Sequence, residues 1–215
     1  MQLLPKPQKS HNHQQKLEFE PFHESPSLSV FSAPNAPSVR APDPSYGHRF
    51  LQENLNQRVV ILIDGSNLFY AASYLSLEID YTKLLRCLVQ DRRLVRAYFY
   101  TGVDRTNEKQ QGFLHWMRRN GYRVVSKDLI QFPDGSKKAN MEVEIAVDMM
   151  TLANHCDTIV LLSGDGNLAY AVNSTAYRGV QVEVVSLRSM TSDSLINVAD
   201  RYIDLESIRE QIQRC

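Results

Sequence analysis

From residue 58 onward, short apolar runs alternate with stretches in which apolar residues recur at the helical period. Continuous β-branched and aliphatic runs predict five buried strands, at 58–63, 94–100, 122–125, 158–162 and 180–186. The remaining stretches predict helices near 67–75, 81–90, 105–120, 141–154, 167–178 and 193–199, with a short closing segment at 202–205. Strands that alternate with helices predict an α/β fold, in which a mostly parallel central sheet carries helices on both faces.

The first 50 residues have a different composition. Eight of the nine prolines lie at or before Pro44, among many Ser, Gln and Asn residues and without apolar periodicity. Such a segment cannot bury enough apolar surface to offset the conformational entropy lost on ordering. We therefore predict a disordered tail at residues 1–50, a folded domain at residues 51–205 and a C-terminal tail at residues 206–215.

Several classes of protein are excluded by the apolar and cysteine content. The longest aliphatic run, Val59–Ile63, has five residues, whereas a membrane span needs roughly 20. The N-terminus has no apolar core of the kind found in secretory signals, which predicts a cytoplasmic protein. The three cysteines are odd in number and widely spaced, so we predict free thiols rather than disulfides or a zinc site.

The zero net charge hides an uneven distribution. The 24 Lys and Arg residues balance 24 Asp and Glu residues, so the chain as a whole is not basic enough to coat a nucleic acid. Residues 81–138 nevertheless carry 13 basic and 5 acidic groups, whereas residues 139–215 carry 5 basic and 11 acidic groups. The neutrality is a cancellation between a basic middle and an acidic final third. This distribution permits a phosphate-backbone partner such as RNA.

Two predicted strands end in an aspartate. Asp64 follows the first strand and precedes Gly65, and Asp165 follows the fourth strand between two glycines. In open α/β sheets, ligands bind beyond the carboxyl ends of the strands. For Asp64 considered alone, an Asx turn or a helix N-cap is as good an explanation as a role in a site.

The spacing Gly164-x-Gly166-x-x-Ala169 also matches the dinucleotide-binding fingerprint, with Glu183 about 20 residues further on. The match is late in the chain, and Asp165 occupies a variable position inside the turn. A carboxylate there would repel the pyrophosphate that the helix N-terminus should attract. The sequence therefore disfavours dinucleotide binding.

An otherwise apolar predicted helix carries three carboxylates. Glu144 and Asp148 are four residues apart and share a face. Glu142 lies about 120° from Asp148 and roughly 9 Å away along the axis, so the three cannot all bind one ion. Glu142, near the helix start, is the best placed to face the strand ends. Glu144 is expected on a solvated face. For Asp148 the sequence allows two roles, either a direct part in the site or a buried residue that orients a neighbour.

Converging carboxylates repel one another unless a cation neutralises them. Asp64, Glu142 and Asp165 offer oxygen ligands only, which suits Mg²⁺ or Mn²⁺. Such an ion activates water and stabilises the oxyanions of phosphoryl transfer. The sequence therefore predicts a divalent-metal site built from the strand ends and the acidic helix.

Cationic side chains between residues 81 and 138 are candidates for contacts with backbone phosphates, although such a run is usually a solvated helix face. Arg118 and Arg119 are favoured because they end a predicted helix, and Lys137 and Lys138 because they precede the acidic helix. Trp116 follows Phe113 by three residues, which favours a helical core stripe over a platform for base stacking.

Three segments together resemble a known family. Val59–Asn67, ending Asp64-Gly-Ser-Asn67, resembles the opening strand and Asp-x-x-Asn motif of NYN domains, most closely the LabA-like branch. Lys138–Asp148 resembles its helix motif Lys-Gly-Val-Asp-Val-x-x-Ala-x-Asp, and Ser163–Asn167 resembles its Ser-Gly-Asp-Ser-Asp. The resemblance covers residues 58–205 in order.

NYN domains are PIN-like, so the resemblance implies a three-layer, Rossmann-like PIN fold and an RNase site that depends on Mg²⁺ or Mn²⁺. It assigns Asp64, Glu142 and Asp165 as catalytic, metal-binding carboxylates and matches Asp148 to the second helix Asp. It places Asn67 and Asn167 beside them as contacts to the substrate. Asn167 stands where the motif has Asp, and this loss of a negative charge would weaken metal affinity or lower activity.

Three hypotheses follow. The first is a metal-dependent ribonuclease that hydrolyses phosphodiester bonds, with single-stranded RNA as the partner. The second is a catalytically weak RNA-binding or regulatory protein, since some LabA-like proteins are linked to regulation of gene expression. The third is a protein-interaction module that binds its partner through the proline-rich tail. The sequence leaves open whether the chain forms a homo-oligomer.

Overall fold

A computed structural model describes residues 56–131, 133, 135 and 137–214, with Lys137 described by its backbone alone. The tail predicted at residues 1–50 lies outside the described residues. The strands are β1 (Arg58–Asp64), β2 (Arg93–Val103), β3 (Tyr122–Asp128), β4 (Ile130–Gln131), β5 (Lys137–Lys138), β6 (Thr158–Leu162), β7 (Gln181–Ser186) and β8 (Arg201–Asp204). The helices are α1 (Gly65–Tyr74), α2 (Tyr81–Val89), α3 (Glu108–Arg119), α4 (Glu142–Leu152), α5 (Ala169–Ala176), α6 (Asp193–Ile196) and α7 (Arg209–Ile212).

Six strands form one parallel sheet in the order β3-β2-β1-β6-β7-β8. The chain builds outward from β1 to β3 and then returns to place β6 on the other side of β1. This reversal makes the boundary between β1 and β6 the topological switch point of the sheet. Ile63 pairs with Leu162 there, so Asp64 and Ser163 follow at neighbouring strand ends.

Alternate residues of β1 face opposite sides of the sheet. Val59, Ile61 and Ile63 join one apolar cluster, and Val60 and Leu62 join another. Helices α1, α2, α3 and α7 contribute to the first cluster, whereas α4, α5 and α6 contribute to the second. All five β1 residues have no exposed surface, as expected of a strand covered on both faces. The predicted α/β fold with helices on both faces is confirmed.

The helices and the cysteines bear on two further predictions from the sequence. None of the helices in the described part of the chain combines the length and apolar character that crossing a bilayer requires. Cys87 and Cys156 are free thiols, as predicted, and Cys156 is buried.

A two-stranded hairpin that the sequence pattern does not predict precedes the acidic helix. Strands β4 and β5 pair antiparallel, with Ile130 opposite Lys138 and Gln131 opposite Lys137. The hairpin follows the carboxyl end of β3 and leads directly into α4. A side chain at Gly102 would come within 2.9 Å of Ala139, so the end of β2 packs closely against this segment.

The chain beyond residue 205 is part of the folded domain, which differs from the predicted C-terminal tail at 206–215. Helix α7 places Ile212 in the first apolar cluster, where its side chain is fully buried. The Ile212 carbonyl accepts a hydrogen bond from the Asp80 N–H at 2.9 Å. Gln213 forms an antiparallel bridge with Ile79. These long-range contacts close the α1–α2 loop against the end of the chain.

Substitution of Ile212 by Ala should lower the free energy of unfolding by about 2–5 kcal/mol, because it leaves a cavity in a closed core. Glu210→Ala, at an exposed position of the same helix, is the matched control and should change stability by less than about 0.5 kcal/mol. Urea unfolding measures both. Equal stability of the two variants would mean that α7 does not close the core.

Candidate functional site

Asp64 lies at the switch point and also caps a helix. Its Oδ1 accepts hydrogen bonds from the backbone N–H groups of Ser66 at 3.0 Å and Asn67 at 3.1 Å, at the start of α1. The following Gly65 is required by close packing, since a side chain there would lie 2.7 Å from the Phe99 ring and the Tyr100 carbonyl. Asp64 can therefore be both an N-cap and a site residue, because the capping hydrogen bonds fix its carboxylate at the strand end.

One buried hydroxyl joins the two acidic loops, which are the segments that follow β1 at Asp64 and β6 at Asp165. Ser163 Oγ donates to Asp64 Oδ2 at 3.2 Å and accepts from the Asp165 backbone N–H at 3.3 Å. Ser163 has no exposed surface. Asp165 Oδ1 in turn accepts from the Asn167 N–H at 2.9 Å and caps the turn Gly166–Leu168. The two aspartates are therefore held by complementary hydrogen bonds rather than by flexible loops.

Glu142 reaches this pair from α4. It is the first residue of that helix, and its carboxyl group lies close enough to Asp165 and Asp64 for their charges to act on it. Burial raises the pKa of Glu142, and the charges of Asp165 and Asp64 raise it further. Burial also raises the pKa of Asp64, and the charge of Asp165 raises it slightly further. The hydrogen bonds from Asn67, Ser163 and Ser66 lower it. Asp64, Glu142 and Asp165 form what we call the acidic cluster.

The acidic cluster supplies oxygen ligands only, which are the donors that Mg²⁺ and Mn²⁺ prefer. Within the described ranges, no group of three or more His, Cys, Asp or Glu side chains is already arranged to hold a metal ion. The charges of Asp165 and Asp64 both raise the pKa of Glu142, so the charged carboxylates repel one another. By donor type and mutual repulsion, the cluster fits a hard divalent cation.

Asn67 and Asn167 border the acidic cluster in different ways. Asn67 Oδ1 accepts a hydrogen bond at 3.2 Å from Ser186 Oγ, at the carboxyl end of β7. Ser186 is almost fully buried, so it ties the Asn67 side chain to a third strand end. The Asn167 side chain is exposed, and only its backbone N–H contacts Asp165.

Asp148 does not join the acidic cluster, contrary to its prediction as a metal ligand. Its Oδ2 accepts a hydrogen bond at 2.8 Å from the hydroxyl of Tyr100, which is fully buried. Burial, followed by the contact with Asp148, raises the pKa of Tyr100. Asp148 therefore anchors a core tyrosine. This is the second of the two roles that the sequence allows for it, the orientation of a neighbour.

Glu144 forms an ion pair rather than lying on a freely solvated face. One carboxylate oxygen is 2.6 Å from Lys127 Nζ, and this contact lowers the pKa of Glu144. Its other oxygen is buried without a hydrogen-bond partner. The three carboxylates of α4 therefore have three different surroundings.

The predicted phosphate contacts are divided between the two edges of the sheet. Helix α3 leaves the carboxyl end of β2 and ends just before the amino end of β3. Arg118 and Arg119, in its last turn, therefore lie at the amino edge, and the structure does not bring them to the acidic cluster. Lys138 is exposed on β5, four residues before Glu142. Lys137 occupies the adjacent position, and its side chain lies outside the described atoms.

Trp116 is 40% exposed, so its prediction as part of a core stripe is wrong. Leu114 and Met117 fill the core instead. Phe113 packs beside them, with its ring centroid 5.1 Å from that of Tyr81 and 5.8 Å from that of Phe99.

Ser163 and Ser186 are site residues that the sequence interpretation missed. Each stands at the carboxyl end of a parallel strand, which is the position that ligand-binding residues occupy. Serine is common in turns and caps, so its type alone carries little signal.

A parallel sheet with helices on both faces and carboxylates at its switch point defines a PIN-like α/β domain. Comparison with known proteins gives the family. The NYN domain model matches residues 58–206, and the chain belongs to the NYN domain family. This membership points to a nuclease-like, RNA-related function.

Two similar proteins extend this result. The chain is 36% identical to low amplitude and bright protein LabA of Synechococcus elongatus over 165 residues, which cover 73% of this chain and 88% of LabA. The crystal structure of a protein of unknown function from Vibrio parahaemolyticus superposes with a TM-score of 0.65 at 27% identity, covering 75% of this chain and 98% of that chain. The relation to LabA agrees with the branch that the sequence motifs resemble.

The raised pKa values of Asp64 and Glu142 predict how stability depends on pH. A carboxyl whose pKa is higher in the folded than in the unfolded state contributes stability at low pH, and this contribution is lost as the pH rises through the folded pKa. Glu142→Gln removes one such group. Its free energy of unfolding relative to wild type should therefore increase from pH 4 to pH 8, by less than about 1 kcal/mol because solvent screens the site.

Chemical unfolding in metal-free buffer at the two pH values measures this change. Glu210→Gln is the control and should show no such trend. A Glu142→Gln variant that loses stability relative to wild type as the pH rises would contradict the assignment.

Proposed function

We propose that the protein is a divalent-metal-dependent ribonuclease that hydrolyses phosphodiester bonds in RNA. The observation that carries the proposal is the convergence of Asp64, Glu142 and Asp165 at the switch point, where burial and the neighbouring carboxylates raise the pKa of Asp64 and of Glu142. Carboxylates held together at such a cost indicate a function that needs them. Membership of the NYN family supports RNA as the substrate.

Asp64, Asp165 and Glu142 would hold the cation. When bound, Mg²⁺ or Mn²⁺ lowers the pKa of water and stabilises the charge that develops on the phosphate oxygens. The protein supplies the positions of its ligands, since three hydrogen bonds fix Asp64 and the Asn167 N–H fixes one oxygen of Asp165. Pre-organised ligands need little rearrangement when the substrate arrives.

Other side chains at the same edge complete the proposed site. Glu142 would complete the cation site or help to orient the attacking water. Lys138 extends an exposed ammonium group from the hairpin beside α4, where it would meet a backbone phosphate. Asn67 is held by Ser186 and would orient a phosphate oxygen or a water molecule.

A second candidate function rests on Asn167. This residue stands where the family motif has an aspartate, and its exposed side chain makes no contact with Asp165 beyond the backbone N–H. A site with one negative charge fewer would bind the metal more weakly. The same domain would then act as an RNA-binding regulator rather than as an efficient nuclease.

Incubation of the full chain with labelled single-stranded RNA, with Mn²⁺ or with EDTA, tests the proposal. We expect cleavage only with the metal, and a decrease of at least about 100-fold for Asp64→Asn and Asp165→Asn, since they remove proposed metal ligands. Asp148→Asn is the matched control, because its amide oxygen can still accept the Tyr100 hydrogen bond. It should retain most activity.

Cleavage that persists in EDTA, or in both Asp64→Asn and Asp165→Asn, would overturn the mechanism. RNA binding without cleavage by the wild-type chain would favour the second candidate. Asn167→Asp would then be expected to restore metal-dependent cleavage.

A further inference from the structure

Two helices that begin at the acidic loops carry exposed aromatic rings. Helix α1 starts directly after Asp64 and displays Tyr70 and Tyr74, which are 66% and 67% exposed. The chain after Asp165 enters α5, which displays Tyr170 and, at its end, Tyr177, which are 83% and 84% exposed. Apolar and aromatic groups of this size lose stabilisation when they are left in water. Their exposure leaves these rings free to contact a ligand.

The rings on each helix follow a helical stripe. Tyr70 and Tyr74 are four residues apart, and Tyr170 and Tyr177 are seven residues apart, so each pair lies on one face of its helix. Tyr70 is six residues beyond Asp64, which is about 9 Å along a helix axis. Each stripe thus starts near an aspartate of the acidic cluster and leads away from it. We call these the α1 stripe and the α5 stripe.

The two stripes lie on opposite faces of the sheet. Leu68 and Ala71 place α1 against the first apolar cluster, whereas Ala171 and Val172 place α5 against the second. A protein partner with one flat surface would not cover both faces. A flexible polymer that crosses the carboxyl edge at the acidic cluster would contact both.

The charges of the two helices do not oppose a polyanion among such polymers. The segment from Gly65 to Leu77 contains no charged residue, and the segment from Ala169 to Tyr177 contains none either. A phosphate backbone beside these helices would meet no carboxylate from them, and Arg178 follows Tyr177 directly. Aromatic side chains stack on unpaired bases without sequence preference, because every base has a π-face.

We infer that Tyr70 and Tyr170 are base-stacking platforms on either side of the acidic cluster, so that the site takes unpaired RNA that crosses the carboxyl edge of the sheet. The inference rests on the proposal that the acidic cluster acts on RNA and specifies which RNA it takes. Phe69 supports the first platform, since its ring is 5.9 Å from that of Tyr70 in an edge-to-face arrangement. Tyr74 and Tyr177 extend the two stripes for longer strands.

Binding of a labelled single-stranded RNA of about 12 nucleotides, measured in EDTA, separates this inference from catalysis. The double variant Tyr70→Ala/Tyr170→Ala should bind at least about tenfold more weakly. Tyr70→Phe/Tyr170→Phe keeps the rings and should bind within about twofold of wild type. Val95→Ala, which removes an exposed apolar side chain near the amino end of β2, is the control and should leave binding unchanged.

An abasic oligonucleotide of the same length tests whether the rings contact bases. It should bind more weakly than the RNA, and equally to the wild-type chain and the double alanine variant. Duplex RNA should compete poorly, because its bases are already stacked.

Unchanged RNA binding by the double alanine variant would overturn the inference, even if cleavage depends on Asp64 and Asp165. An equal loss of affinity for the abasic strand would also overturn it. A third outcome would overturn it as well: the wild-type chain self-associates, and the alanine substitutions abolish this self-association but leave RNA binding intact. The stripes would then be a protein interface. Binding that depends on the rings without any cleavage would instead uphold the inference and reject the nuclease proposal.

Discussion

The parallel pairing of β1 with β6 is the constraint on which the candidate site depends. It places Asp64 and Ser163 at adjacent strand ends, and Ser163 Oγ then bridges Asp64 to the backbone of Asp165. Two carboxylates so close to each other are unfavourable when both are charged. Residues 59–63 of β1 and all of β6 are buried, and this packing holds the two strand ends together.

Helix α4 shows how the fold distinguishes residues of the same chemical type. Glu142 joins the acidic cluster, Glu144 pairs with Lys127, and Asp148 accepts the Tyr100 hydrogen bond. Their spacing along the helix directs them to different neighbours, because each residue turns the side chain by 100° and advances it by about 1.5 Å. The helix therefore supplies one carboxyl to the cluster and uses another to anchor the core beneath it.

Much of this arrangement could be predicted from the sequence. Continuous apolar runs identified the central strands, since strands buried on both faces need apolar residues at every position, and strand ends identified Asp64 and Asp165. The β4–β5 hairpin was missed because two-residue strands have no periodicity. Helix α7 was missed because its burial depends on contacts with residues more than 120 positions earlier.

The side-chain surroundings were harder to predict than the elements. Trp116 has the helical spacing of a core residue relative to Phe113, yet Leu114 and Met117 occupy the inward face. Arg118 and Arg119 are basic and end a helix, which predicts contacts with the substrate, but the direction of α3 places that end at the opposite edge. Such assignments depend on tertiary placement, which local pattern does not contain.

Isothermal titration of Mn²⁺ into the full chain shows which carboxylates bind the cation without requiring turnover. We expect binding to wild type and to Asp148→Asn with similar affinity, and a loss of at least about tenfold for Asp64→Asn and Asp165→Asn. Unchanged affinity in the Asp64 and Asp165 variants, or a loss confined to Asp148→Asn, would contradict the account.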